Sequence, residues 1–278
     1  MEKLTDIEQY KTIVREERKK HKKPFSNIYL MPKDLENCIE QKRAYFEIQD
    51  GGFLLIIDEQ TYYKLCVSID PYMKFSVPDM DKKVVFEHVF RKEKSEECPV
   101  TVENELKGQQ FCKKGTIVQV CGNTEIIYEN CKKSEDFIKR LEREGFSYIA
   151  LDSTYYARVR KMLLSTNIIT DYQINHVEAD SGKRIFGGIL DKESNLCAVS
   201  MCTLSGLTAY GQGIMIEDKY RLQGLAPMLS YYGLKRLLEL GIEQSVGWIE
   251  TNNRASLRYH HALGYELINK YTDEWIRQ

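Results

Sequence analysis

Gly211–Ala226 reads GQGIMIEDKYRLQGLA, and the rest of the chain is organised around it. Ile214, Met215 and Ile216 form an apolar strand end. A charged turn, Glu217–Tyr220, leads into Arg221-Leu222-Gln223-Gly224-Leu225-Ala226, and the amphipathic run PMLSYYGLKRLLELGI begins at Pro227. The order is strand, turn, small-residue loop, helix. The first amides of a helix have no intrahelical acceptor, and its dipole favours an anion there. Gly224 and Ala226 carry little or no side chain, so a phosphate can approach the main chain closely. The pattern points to a pyrophosphate at a helix N-terminus. The competing reading is an ordinary strand–turn–helix whose glycine eases the turn.

Further along, Val246-Gly247-Trp248-Ile249-Glu250 reads as a strand, followed by Asn252-Asn253 and ASLRYHHALGYE. Arg221-x-x-Gly224-x-Ala226 after a strand resembles the acyl-coenzyme A loop of the GNAT (N-acetyltransferase) superfamily. Asn253, with Ser256 three positions on and Gly264-Tyr265 eleven and twelve on, resembles that superfamily's second motif. The resemblance runs from near Ser134 to the C-terminus. It implies an α/β (α+β) fold with a mixed, mostly antiparallel sheet flanked by helices.

The resemblance also implies a ligand and a chemistry. Acyl-CoA would lie between two splayed strands, its amide arm bonded to the edge Ile214, Met215 and Ile216 as another strand would be. Leu222, Gln223, Gly224, Leu225, Ala226 and Pro227 would wrap the pyrophosphate, with Arg221 adding charge. Pro227 falls in the first helical turn, where a missing N–H costs little. Asn253 would bond the cofactor arm or cap its helix. Glu250 is the first choice of base, on the same side of its strand as Trp248. The superfamily's tyrosine acid falls on His260 here. Tyr259 sits one residue earlier, turned away by about 100° on a helix. Histidine titrates near neutrality and can carry a proton.

The implied activity is transfer of an acetyl group from acetyl-CoA to an amine of a small molecule or peptide, with no metal. Two alternatives stand beside it. One is a non-catalytic acyl-CoA-binding sensor or scaffold, motivated by the displaced tyrosine. The other is a longer acyl chain, accommodated by Met201 and Met215.

Composition is consistent with this. The 278 residues are 42% hydrophobic and 29% charged, as in globular proteins. A net charge of −1 supplies no field to recruit nucleic acid. No apolar run is long enough for a membrane span. The eight cysteines form no C-x-x-C pair or metal-ligand spacing and read as reduced thiols of a cytoplasmic protein. A homodimer is one assembly this reading admits.

The first half is read as a helical segment over 1–24 and a smaller α+β domain over 25–132, ahead of the acyl-CoA-binding domain over 133–278. Its elements are a helix from Asp34 to Phe46, a hairpin of Phe53–Ile57 and Tyr62–Ile69, and strands at Lys83–Arg91, Pro99–Leu106 and Thr116–Val120, with a short helix at Lys107–Lys114. Strand, Asn104, short helix, strand repeats the order of the second motif, so this half is read as a degenerate GNAT-like copy. It lacks the Arg-x-x-Gly-x-Gly/Ala loop and is expected not to bind the cofactor. In the second half, helices are expected at Glu135–Glu144 and Asp152–Ser165, and strands at Gln173–Glu178, Arg184–Leu190, Leu196–Leu204 and Leu207–Ile216.

Overall fold

The structure is a computed structural model that describes residues 1–21, 23–59, 61–94, 96–164 and 184–278. The strand expected at Gln173–Glu178 and the end of the helix expected to reach Ser165 lie outside these residues. The chain forms two compact units. The first comprises Met1–Thr116 and Asn269–Gln278, and the second comprises Ile117–Ile268.

In the first unit, β1 (Glu2–Lys3) precedes α1 (Ile7–Lys20), whose N-cap Asp6 accepts from the Gln9 amide at 2.8 Å. After β2 (Phe25–Ser26) comes α2 (Pro32–Glu40), opened by a proline at its first position. The strands β3 (Ala44–Gln49), β4 (Gly52–Asp58) and β5 (Tyr62–Ile69) form an antiparallel meander. β6 (Lys83–Phe90) lies parallel to β5, paired over Tyr62–Leu65 and Lys83–Phe86. The unit's core has two halves because β4 is apolar throughout and alternates its side chains. Phe53, Leu55 and Ile57 pack with α1 and α2, while Leu54 and Ile56 join the cluster on the other face. That second cluster includes Val102 and Leu106 of α3 (Val100–Gly108).

The second unit takes β7 (Cys112–Asn123) from Ile117 onward, then α4 (Thr124–Lys132), α5 (Glu135–Arg143), β8 (Ser147–Ala150) and α6 (Tyr156–Leu164). The antiparallel strands β9 (Arg184–Leu190), β10 (Leu196–Ser205) and β11 (Thr208–Ile216) follow. Next come α7 (Leu225–Glu239), β12 (Gln244–Glu250) and α8 (Arg254–Ala262), and the chain then enters β13 (Glu266–Arg277), which belongs to the first unit from Asn269 on. β12 is parallel to β11 and antiparallel to β7. α6 packs on one face of the sheet through Val159 and Met162, against Phe186, Met201 and Met215. α5 and α7 cover the other face through Ile138, Leu141, Leu225, Met228 and Leu229.

The two units share one strand plan. In each, an antiparallel meander is followed by a parallel neighbour and then an antiparallel strand: β3-β4-β5-β6-β13 in the first and β9-β10-β11-β12-β7 in the second. The last strand of each comes from the other half of the sequence. Tyr271–Arg277 pairs with β6, and Ile117–Asn123 pairs with β12. The units therefore divide between Thr116 and Ile117, not after 132, and the last ten residues return to the first unit. The segment 1–24 is not separate either, because Ile13 of α1 is part of the first unit's core.

Several local expectations are corrected. Pro99–Leu106 is not a strand: Val102 and Leu106, four apart, bury one stripe of α3. The helix expected over Lys107–Lys114 ends at Gly108, and β7 begins at Cys112. α2 stops at Glu40, because Lys42 turns to φ 58° and Ala44–Phe46 enter β3. The division expected after 132 falls at the end of α4, whose last residue is Lys132. The copy's correspondence thus moves back by one element: β6 matches β12, and α3 matches α8. No described helix is long and apolar enough to cross a membrane.

Candidate functional site

β11 and β12 pair only at Thr208–Tyr210 with Gln244–Val246, and then part. β12 continues to Glu250 along β7, while β11 continues to Ile216 along β10. Past Tyr210 no described segment pairs with the free edge of β11. The divergence begins at a bulge: Met201 faces Gly213 and Cys202 faces Gly211, so Gln212 is an extra residue. Gly213, at φ 141°, takes a backbone that a side chain would disfavour. The glycines flanking Gln212 within a strand were the sequence signal for this bulge. Met215 is buried on the α6 side, and Ile214 and Ile216 line the α7 side. The expected edge is therefore present, with alternate main-chain groups free to bond a ligand.

A short turn, Asp218–Tyr220, joins that edge to the loop. Tyr220 is anchored by its hydroxyl, which donates to Asp191 Oδ2 in the β9–β10 turn. This bond, with main-chain and Asn195 donors, holds the Asp191 carboxyl far below the usual carboxylate range. Leu222 (φ 64°) and Gly224 (φ 85°) both adopt the left-handed conformation and bracket Gln223, an alternation typical of anion-binding nests. α7 starts at Leu225 with no side-chain cap. Among the described residues, the amides of Leu222, Gln223, Gly224, Leu225 and Ala226 find no acceptor. Pro227 has no amide to leave unpaired. The loop thus presents consecutive free N–H groups on the positive end of a helix, which suits a diphosphate.

Two loop residues differ from expectation. Arg221 is exposed and ion-paired with Asp218 at 3.0 Å, so its charge is already shared. Gly224 is required by packing. A Cβ there would lie 2.1 Å from Phe137 Cε1 and 2.3 Å from Cζ. The sequence reading did not single out Phe137. Nothing local to α5 links it to a loop nearly ninety residues away.

The candidate catalytic residues cluster around α8. Asn253 caps the helix: its Oδ1 accepts from the Ser256 amide at 3.0 Å, and its own amide donates to the Glu250 carbonyl at 2.9 Å. The capping reading therefore has its geometry here. Glu250 ends β12 half-buried, on the same face as Trp248, with Ile249 buried between them. Trp248 stacks on Tyr210 with ring centroids 5.9 Å apart. Tyr259 donates its hydroxyl to Ser230 Oγ of α7 at 2.8 Å, and burial raises its pKa. His260 lies one residue round the helix, between Tyr259 and Tyr265. Its Nδ1 is 2.8 Å from the Ser256 carbonyl, which can only accept, so Nδ1 carries a proton. Burial lowers its pKa. With Nδ1 committed to the Ser256 carbonyl, that nitrogen is not free to serve a substrate.

No protein-family model and no curated protein matches the sequence. Solved structures do match the fold. A tandem GNAT protein from the clavulanic acid biosynthesis pathway superposes with a TM-score of 0.55 at 11% identity, over 99% of this chain and 97% of its own. The chain has a tandem GNAT fold. A GCN5-related N-acetyltransferase from Kribbella flavida gives a TM-score of 0.50 at 13% identity, over 86% of this chain and 92% of its own. A conserved Staphylococcus epidermidis protein of unknown function gives 0.54 at 10% identity, over 84% and 94%. Within the GNAT fold, the α7 loop is in the second unit. The first unit has no helix between β5 and β6, where the second has α7.

Proposed function

We propose that the second unit binds acyl-CoA, with acetyl-CoA the first donor to test, and transfers the acyl group to an amine of a small molecule or peptide. The observation that carries this reading is two unsatisfied backbone surfaces within one short stretch of chain. The free edge of β11 past Tyr210 is joined by the bonded turn Glu217–Arg221 to the unpaired amides of Leu222–Ala226. The first suits a chain of amides and the second suits a diphosphate. An acyl-CoA would supply a thioester, whose carbonyl an amine can attack. Met215 and its neighbours would orient that carbonyl by main-chain bonds. Glu250, half-buried at the end of β12, is the carboxylate best placed to take a proton from the amine.

A second reading has its own support. The Tyr259 hydroxyl and the Nδ1 of His260 are both committed to internal hydrogen bonds. A carrier-binding protein without turnover would tolerate that arrangement. Thiol release from acetyl-CoA, assayed across a panel of small amines and peptides, separates the two. Turnover with any amine supports transfer. Tight coenzyme A binding with no thiol release across the panel supports a sensor or scaffold. Absence of binding removes both.

A further inference from the structure

The first unit has the same parting of strands as the second, but its gap is filled. β5 and β6 pair last at Leu65 and Phe86, and Cys66–Ile69 and Glu87–Phe90 then lie beyond the parallel register. Into this space runs the segment between α1 and α2. Phe25 and Ser26 pair antiparallel with Ile69 and Ser68 on the edge of β5. Asn27 follows, almost fully buried. Its amide donates to the Val67 carbonyl at 3.3 Å, and its Oδ1 accepts from the Val67 amide at 2.6 Å. Its Nδ2 donates to the Leu65 carbonyl of β5 at 3.1 Å and to the Glu87 carbonyl of β6 at 2.8 Å. One asparagine therefore bonds both diverging strands. Tyr29 extends the bridge, its hydroxyl donating to the Val89 carbonyl at 2.8 Å. The Lys64–Glu87 ion pair, at 2.8 Å, ties β5 to β6 beside it.

We infer that Phe25–Tyr29 is a built-in occupant of the first unit's cleft, standing where the amide arm of an acyl carrier would lie, so that the chain has one carrier site. An asparagine side chain is a primary amide, and it makes to β5 and β6 the kind of bonds a carrier's amides would make. The β5–β6 connection, with no helix N-terminus for a diphosphate, agrees with this. Only the count of one rests on the proposed function of the second unit. The filling of the first cleft stands on its own bonds.

The test uses the full chain and coenzyme A. Calorimetric titration is combined with amide hydrogen exchange at residues 25–29 and 65–69, with and without saturating coenzyme A. One coenzyme A per chain is expected. The Val67 amide should exchange slowly, and at the same rate in both states. Asn27→Ala should speed exchange at 65–69 by about tenfold or more. Two coenzyme A per chain would overturn the inference. So would ligand-induced changes at 25–29 and 65–69, or a freely exchanging Val67 amide in the wild-type protein. If no heat is seen, the reading of the second unit falls. Slow Val67 exchange would still uphold the filled cleft, and fast exchange would overturn it.

Discussion

Gly224→Ala tests the geometry of the α7 loop most sharply. Two separable costs are expected. At φ 85° an L-residue is in the left-handed region, at roughly 1–2 kcal/mol. The new Cβ would also sit 2.1 and 2.3 Å from two Phe137 ring atoms, so the ring must move. The Arg140 guanidinium, 4.6 Å from the ring centroid, restricts where it can go. Overpacking of this kind costs about 1–3 kcal/mol. The sum is about 2–5 kcal/mol, read as a lower urea midpoint with unchanged slope. Phe137→Ala removes the second cost and leaves the first. In that background Gly224→Ala should cost only about 1–2 kcal/mol, giving a coupling of about 1–3 kcal/mol. A Gly224→Ala cost below about 0.5 kcal/mol, or two substitutions additive within about 0.5 kcal/mol, would refute the reasoning.

Other outcomes follow from the same site. Asn253→Ala should destabilise the protein by about 1 kcal/mol through loss of the α8 cap, with Asn253→Asp close to wild type in a thermal melt; equal effects would remove the cap from the account. The His260 pKa lies below its unfolded value, so folded protein resists a proton that unfolded protein accepts. Stability should therefore fall as pH drops below about 6.5, and His260→Gln should make that fall shallower; an unchanged slope counts against it. The Asp191 carboxyl has a depressed pKa as well, set here by hydrogen bonds to its charged form, the Tyr220 hydroxyl foremost. Its contribution is complete above the ordinary carboxylate value near 4 and is lost only as pH falls through the depressed value. Tyr220→Phe should move the Asp191 carboxyl upward in a carbon-13 titration, and no movement would dissociate Tyr220 from the anchor.

The local geometry of the second unit's candidate site was largely legible because its signals are local. Ile214–Ile216, the left-handed Gly224 and the helix from Leu225 are encoded within one short stretch. Asn253 as a cap is likewise a one-turn signal. The first half misled where local preference and tertiary burial disagree. Val100, Thr101 and Val102 favour a strand, yet Val102 and Leu106 are buried as a helical stripe. The strand plan of each unit was not legible. β7 is a strand whose partner β12 lies more than a hundred residues away, and nothing in its pattern specifies which half it completes. Asn27 gave no signal either, because an asparagine in a loop reads as a turn residue. Its bonds depend on two strands brought together later in the chain.

The central claim is that the β11 edge and the α7 N-terminus of the second unit hold an acyl carrier. Titration of nitrogen-15-labelled protein with coenzyme A, following main-chain amide shifts, tests it most directly. Saturable shifts are expected to be largest at Gln223–Ala226 and along Gly213–Ile216. Shifts confined to other surfaces, or none at millimolar coenzyme A, would contradict it.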